Sequence, residues 1–108
     1  MESTDNYRAY CFEIAGVQHH KWREAMDTGS LEEQSELTLV LEPENQYDDK
    51  AIAIYWEGFM LGYIPKKQEE CKQLLYEKNL EGVRCIMSAV RPEDKPWNMF
   101  TVIVEVEI

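Results

Sequence analysis

Apolar and polar residues alternate along several short stretches of the chain, which is the period of strands that bury one face. In the first stretch Tyr10, Phe12 and Ile14 alternate with Cys11 and Glu13. Short runs rich in β-branched, aromatic and aliphatic residues recur further along the chain. The pattern predicts six strands, at residues 8–16, 36–41, 51–56, 59–64, 83–90 and 99–108.

Turn-forming residues separate these strands and indicate how they connect. Residues 27–30 (DTGS) form a turn signal within a polar, irregular segment. Pro43 ends the second strand, because proline has no N–H for the sheet ladder. Glu57 and Gly58 lie between the third and fourth strands, so these two strands are predicted to form a hairpin.

One segment has helical spacing instead. Pro65 is predicted to open this helix, since a proline at the first helical position loses no hydrogen bond. Cys71 and Leu75 then lie on one face, and Asn79 marks the end. A second, short helical turn is predicted around residues 21–26.

These elements predict a mainly β fold with one or two helices, which is α+β by count. We expect a small six-stranded bent barrel of the OB or SH3 kind, with the helix packed at one end. At 108 residues, 44% of them hydrophobic and 30% charged, the chain suits one globular domain. Residues 1–7 are assigned to a flexible N-terminal tail and residues 8–108 to the domain.

Targeting and redox features indicate the compartment. No apolar run approaches the roughly 20 residues that span a bilayer, and the polar, acidic N-terminus does not resemble a secretory signal. We therefore expect a cytoplasmic protein that is not secreted and has no membrane partner. Cys11, Cys71 and Cys85 form no CxxC pair, and an odd count fits free, buried thiols in a reducing environment.

The formal net charge is −10, which argues against general binding of the phosphate backbone, since such binding depends on many Lys and Arg contacts. The charge is unevenly distributed. Residues 1–60 carry most of the excess acid, whereas residues 61–108 are almost balanced. Any nucleic-acid site should therefore be a small local pocket.

Three segments carry a more specific pattern. Residues 12–20 (FEIAGVQHH) combine a strand with a polar loop, and residues 39–54 (LVLEPENQYDDKAIAI) combine two strands with an acidic-Pro-x-Asn-x-Tyr-Asp loop. Residues 61–66 (LGYIPK) form a hairpin return that leads into the helix. In this order, over about residues 10–80, they resemble the HIRAN domain.

The resemblance implies a module that binds single-stranded DNA with a free 3′-hydroxyl end, with RNA left open as a ligand. Its relatives are fused to Swi/Snf-type repair ATPases, which implies a role in DNA repair or replication-fork processing. This sequence contains no ATPase, RING or nuclease segment. Only the binding function carries over, so we expect no catalysis and no cofactor.

The resemblance also supplies candidate site residues. Asp48 matches an acidic residue that accepts a hydrogen bond from the terminal sugar hydroxyl. A carboxylate is an acceptor only, so it would favour a hydroxyl and repel a further phosphate. Asp48 could instead cap its own turn, as Asx residues do. The nucleic-acid-binding candidates are Gln18, His19, His20, Asn45, Tyr47, Asp48, Tyr63 and Lys66.

The other candidates have their own alternatives. Tyr47 offers a face for a base, although it could pack on the core edge, and Asn45 could serve only to hold the loop. Lys66 matches a basic position that would neutralise the penultimate phosphate, and Tyr63 could be hairpin core. Additional stacking candidates are Trp22, Trp97 and Phe100.

The main departure from the family is the pair His19 and His20, where tyrosines are usual. Imidazole can stack on a base, and it titrates near neutral pH, so affinity is expected to rise below about pH 6.5. Adjacent histidines also suggest a metal site. Neighbouring residues of an extended chain point to opposite sides, however, and no third ligand is near in sequence.

Two other function classes stay open. Asp48 and Asp49 beside two histidines suggest a nuclease, but no metal-ligand spacing supports one. The stronger alternative is an acidic protein-interaction adaptor that keeps the fold, has lost DNA-end binding and contacts a basic protein partner. A cluster of Lys21, Arg23 and Lys66 with the histidines around Asp48 would favour end binding; scattered lysines and buried histidines would favour the adaptor.

Overall fold

The structure is a computed structural model that describes residues 6–108. Its strands are β1 (Tyr7–Glu13), β2 (Glu36–Glu42), β3 (Ala51–Trp56), β4 (Phe59–Tyr63), β5 (Val83–Val90) and β6 (Phe100–Glu107). Its α-helices are α1 (Trp22–Asp27), α2 (Glu69–Lys78) and α3 (Pro96–Met99), and a 3-10 helix covers Val17–His19. The predicted fold class, mainly β with few helices, is confirmed.

The six strands form one antiparallel sheet in the order β1-β6-β5-β2-β3-β4. Its two edges meet just after β1, where Ala15 and Tyr63 exchange both backbone N–H···O bonds at 2.9 Å. The sheet therefore closes on itself, so the segment that follows β1 lies beside the end of β4. This closure brings residues 16–20 to the β2–β3 loop.

Alternation along the strands fills the interior. In β6 the side chains of Val102, Val104 and Val106 are fully buried, while the intervening residues are partly exposed. β3 is covered on both faces instead, since Ala51 and Ala53 are buried as well as Ile52 and Ile54. The core is thus formed by the faces that the sequence pattern predicts.

Gly62 is required by the closure. Its φ is +155°, and a Cβ added there would lie 2.4 Å from the carbonyl oxygen of Ala15 and 2.7 Å from Cγ2 of Ile14. The contact with backbone cannot be relieved by a side-chain rotation. A residue without a Cβ is therefore needed where β4 meets the end of β1.

The structure corrects several predicted boundaries. β1 ends at Glu13 and not at Gly16, and β6 begins at Phe100 because Met99 belongs to α3. The main helix begins at Glu69, not at Pro65, because residues 65–68 form a turn in which the N–H of Gln68 donates to the carbonyl of Pro65 at 3.0 Å. The predicted tail, residues 1–7, overlaps β1 by one residue, since Tyr7 pairs with Glu107. Residues 1–5 lie outside the described residues.

Smaller features were not predicted. The 3-10 helix and α3 both fall in segments that were assigned to loops. The short turn predicted around residues 21–26 is confirmed as α1.

Of the three free cysteines, Cys71 and Cys85 are buried as expected, and burial raises the pKa of each thiol to about 12. Cys11 is exposed, so the expectation of burial is wrong for it. No helix within residues 6–108 is long and apolar enough to span a membrane.

Candidate nucleic-acid interface

The loop between β2 and β3 is held by Asn45. Its side-chain oxygen accepts hydrogen bonds from the backbone N–H of Tyr47 at 2.8 Å and of Asp48 at 3.2 Å, which is an Asx-type turn. Its Nδ2 donates to the Glu42 carboxylate at 3.0 Å, and Tyr63 Oη donates to the same oxygen at 2.9 Å. The loop-holding role weighed for Asn45 is therefore present, and it fixes where the next residues point.

Asp48 is bound on one side by Lys72, a lysine of the main helix. Nζ of Lys72, on α2, donates to Oδ2 of Asp48, and Oδ1 accepts from the backbone N–H of Lys50 at 3.0 Å. The Lys72 side chain is 4% exposed and that of Asp48 is 21% exposed. The hydrogen bond from Lys72 lowers the pKa of the Asp48 carboxyl. Asp48 is thus held ionised and oriented. Its contact with the N–H of Lys50 is the turn-capping role named as its alternative, and that role is present.

Seven of the eight predicted site residues line one cavity of about 540 Å³: His19, His20, Asn45, Tyr47, Asp48, Tyr63 and Lys66. Backbone and apolar side chains of Ala15, Gly16, Ala51 and Ile64 complete its wall. Residues distant in sequence meet here because the sheet closes at Ala15. We name this cavity the end pocket.

The aromatic and imidazole groups of the end pocket differ in exposure. The Tyr47 side chain is 81% exposed. His19 is exposed, whereas His20 is half-buried and meets the Tyr63 ring edge-on, with centroids 5.6 Å apart. Burial lowers the pKa of His20. Tyr47 and His19 therefore offer accessible faces, and His20 is part of the wall.

A small lysine cluster lies beside Asp48. Lys50, Lys66 and Lys72 line a cavity of about 250 Å³ behind the Asp48 side chain, together with Glu69 and Gln73. This cluster differs from the one considered from sequence. Lys21 pairs with Glu24 at 3.6 Å, and Arg23 lies over the Trp22 ring at 4.8 Å from its centroid.

The remaining candidates have separate positions. Gln18 and Trp97 line an adjoining groove and not the end pocket, and Trp97 is 52% exposed. Phe100 is fully buried, so the suggestion that it stacks on a base is wrong. Trp22 is partly buried against the core, so it offers less of its ring for stacking than Trp97 does.

Lys72 is the functional candidate that sequence reasoning missed. It lies three residues before the buried Leu75, which is the spacing of one helical face. That spacing was the available signal. Among residues 6–108 no group of three or more His, Cys, Asp or Glu side chains has an arrangement that could hold a metal ion.

Comparison with known proteins agrees with this fold. The family model described as the HIRAN domain matches residues 7–107. A crystal structure of a protein from Lactobacillus plantarum has a TM-score of 0.61 and 23% identity, over 93% of this chain and 98% of that one. The crystal structure of the HIRAN domain of human HLTF has a TM-score of 0.60 and 17% identity, over 90% of this chain and 71% of that one. A search of curated proteins gives no significant match.

Proposed function

The chain belongs to the HIRAN family, whose domains bind nucleic acid, and we propose that this member binds the 3′ end of single-stranded DNA that carries a free hydroxyl. The observation that carries the proposal is the end pocket itself, where an ionised carboxylate lies beside an exposed aromatic ring and an exposed lysine. Membership of the family indicates nucleic acid as the ligand, and the geometry of the end pocket favours a strand end.

Asp48 is the proposed acceptor of the terminal hydroxyl. Each carboxylate oxygen has two lone-pair sites, and the contacts with Lys72 and the N–H of Lys50 use one on each. One acceptor site per oxygen is left for the sugar hydroxyl. A hydrogen bond to a charged group contributes about 1.5–3 kcal/mol.

The ion pair with Lys72 changes the expected basis of selectivity. Because Lys72 offsets the charge of Asp48, simple repulsion of a terminal phosphate is weaker than a lone carboxylate would give. We therefore propose that a hydroxyl is preferred mainly because it can donate a hydrogen bond, which a fully ionised phosphate cannot do. Lys72 keeps Asp48 in the acceptor form.

Tyr47 and Lys66 are proposed to hold the nucleotide around this contact. The exposed Tyr47 ring is a stacking platform for a base, worth about 1–3 kcal/mol. Lys66 is exposed at the rim of the pocket and forms no ion pair within the described part of the chain, so its ammonium is free for a phosphate. The site is local, as the net charge of −10 requires.

We further propose that the domain is non-catalytic and serves DNA repair or replication-fork processing in the cytoplasm. The adaptor alternative, with a basic protein partner, stays open. Lys66 and both histidines line the end pocket, as end binding requires, whereas Lys21 and Arg23 do not. Lys72 is buried in its pair with Asp48, so Lys50 and Lys66 are the exposed lysines beside the carboxylate. RNA ends share the hydroxyl chemistry and belong in the same assay.

The test is fluorescence anisotropy with 5′-labelled octanucleotides that end in a 3′-hydroxyl or a 3′-phosphate. The wild type should prefer the hydroxyl by about tenfold, the lower value for a charged hydrogen bond. Asp48→Asn should lose this preference, and Asp49→Asn, an exposed neighbour, should keep it. Equal binding of both ends by the wild type would contradict the proposal, and binding of neither would favour the adaptor.

A further inference from the structure

A groove adjoins the end pocket, and three different segments of the chain line this groove. It has a volume of about 690 Å³ and lies between the end of β1, the turn at residues 65–68 and the segment that joins β5 to β6. Ala15 and Gly16 line both the groove and the end pocket. A chain that occupies the pocket can therefore continue into the groove along this shared wall.

Arg91 is held in place at one side of the groove. Its Nη1 donates to the backbone carbonyl of Asn98 at 3.0 Å and to Oγ1 of Thr101 at 2.9 Å. Within residues 6–108 it forms no ion pair with a carboxylate. The guanidinium is thus oriented by neutral partners, and its remaining N–H groups and its charge are available to a phosphate.

Trp97 supplies an aromatic face at the same side. It lies in α3, directly after Pro96, and is 52% exposed. The ammonium of Lys95 is 5.7 Å from its ring centroid. An exposed tryptophan beside cations is the combination on which single-stranded nucleic acid stacks and is neutralised.

The charge of the groove is opposite in sign to that of the chain. Lys67 and Arg91 are its basic side chains, and Glu13 is its one acidic side chain. Lys67 is exposed, and no ion pair involving it occurs among residues 6–108. On a domain of net charge −10, a basic groove next to the end pocket is a local exception that suits an anionic strand.

We propose that this groove holds the nucleotides that precede the bound 3′ end, with one base stacked on Trp97 and a backbone phosphate on Arg91. The inference rests on the proposed function and extends it from a terminal contact to a binding track. The domain then binds a longer single strand more tightly than the shortest end, because stacking on Trp97 and neutralisation by Arg91 add to the terminal contacts.

The experiment compares oligothymidylates of increasing length, all with a free 3′-hydroxyl, by anisotropy competition. The octanucleotide should bind the wild type at least about fivefold more tightly than the dinucleotide, which is the lower value for one stacked base. Trp97→Ala and Arg91→Gln should each weaken octanucleotide binding more than dinucleotide binding, so that the gain with length falls, and Trp97→Phe should restore part of it. Arg84→Gln, on β5 and paired with Glu36, is the matched control and should keep the gain.

The outcomes separate the two proposals. If dinucleotide and octanucleotide bind the wild type equally, the groove proposal is overturned and end capture stands. If only the longer strand binds, whichever 3′ group it carries, end capture is overturned and the groove stands when Trp97→Ala weakens binding. If neither strand binds, both fail. Thermal unfolding of each variant must match the wild type to within a few degrees, and Trp97→Phe provides the comparison if Trp97→Ala unfolds.

Discussion

Replacing Lys72 with methionine removes one partner of a largely buried ion pair and leaves the other. Breaking a fully buried pair in this way costs about 3–5 kcal/mol. Lys72 is 4% exposed, but Asp48 keeps 21% of its side chain exposed and the hydrogen bond from the N–H of Lys50. Solvent and that hydrogen bond offset part of the loss, so we expect Lys72→Met to reduce the free energy of unfolding by about 2 kcal/mol at pH 7.

Equilibrium urea unfolding of wild type, Lys72→Met, Asp48→Asn and the double variant measures this directly. The coupling free energy of the cycle should be at least about 1 kcal/mol, because the double variant leaves no buried charge unpaired. The expected melting-temperature loss in Lys72→Met is roughly 8 °C or more. Lys78→Met, on the same helix and with no ion pair in the part of the chain that the structure describes, should change little.

The pH dependence provides a second check on the same pair. The folded-state pKa of Asp48 is lowered, so the stability that it contributes is present above its unfolded pKa of about 3.9 and is lost as pH falls through the folded pKa. The difference between wild type and Lys72→Met should therefore shrink below about pH 4. If Lys72→Met is as stable as Lys78→Met at pH 7, or if the difference does not depend on pH, the ion pair does not hold Asp48 as described.

Three further changes test other parts of the site. Gly62→Ala forces a Cβ against the Ala15 carbonyl and should lower the free energy of unfolding by about 2–4 kcal/mol, measured by thermal unfolding. Gly58→Ala, with positive φ but open space around it, should lower it by about half as much, and equal losses in the two variants would contradict the closure argument. Tyr47→Ala should weaken octanucleotide binding roughly fivefold or more with unchanged stability, measured by anisotropy; an unchanged affinity would exclude stacking. Burial lowers the pKa of His20, so its protonation adds charge only below about pH 6.5. Its share of any gain in DNA affinity on acidification should begin there, so the gain should be smaller in His20→Phe. An undiminished gain must come from other groups, such as His19 in the same pocket.

Much of the fold could be predicted from sequence because its signals are local. The alternation in β6, where Val102, Val104 and Val106 point inward, is visible in the sequence itself, and the boundaries of β3 were predicted to the residue. The start of α2 was not, because Pro65 suits both a first helical turn and a separate turn. The non-helical backbone of Gln68, the N-cap residue with φ −82° and ψ 60°, decides between them.

The site was predictable as a set of residues but not as an arrangement. The resemblance selected residues of the β2–β3 loop, and the structure places seven of the selected residues around one cavity. The pairing of Asp48 with Lys72 joins positions 24 residues apart, which no local spacing encodes. Likewise, the burial of Phe100 and the exposure of Trp97 follow from the packing of β6 and α3, and both residues look equally suited to stacking in the sequence.

The most direct test of the central claim is competition between linear and circular single-stranded DNA of the same length and sequence. The linear strand has a 5′-phosphate and a 3′-hydroxyl end and the circle has neither, so phosphate number and base composition are matched. A domain that captures a 3′ end should be displaced from a labelled oligonucleotide by the linear strand at least about tenfold more effectively than by the circle. Equal competition by the two forms would show that strand interior is bound as well as strand end, and it would contradict the assignment of Asp48 to a terminal hydroxyl.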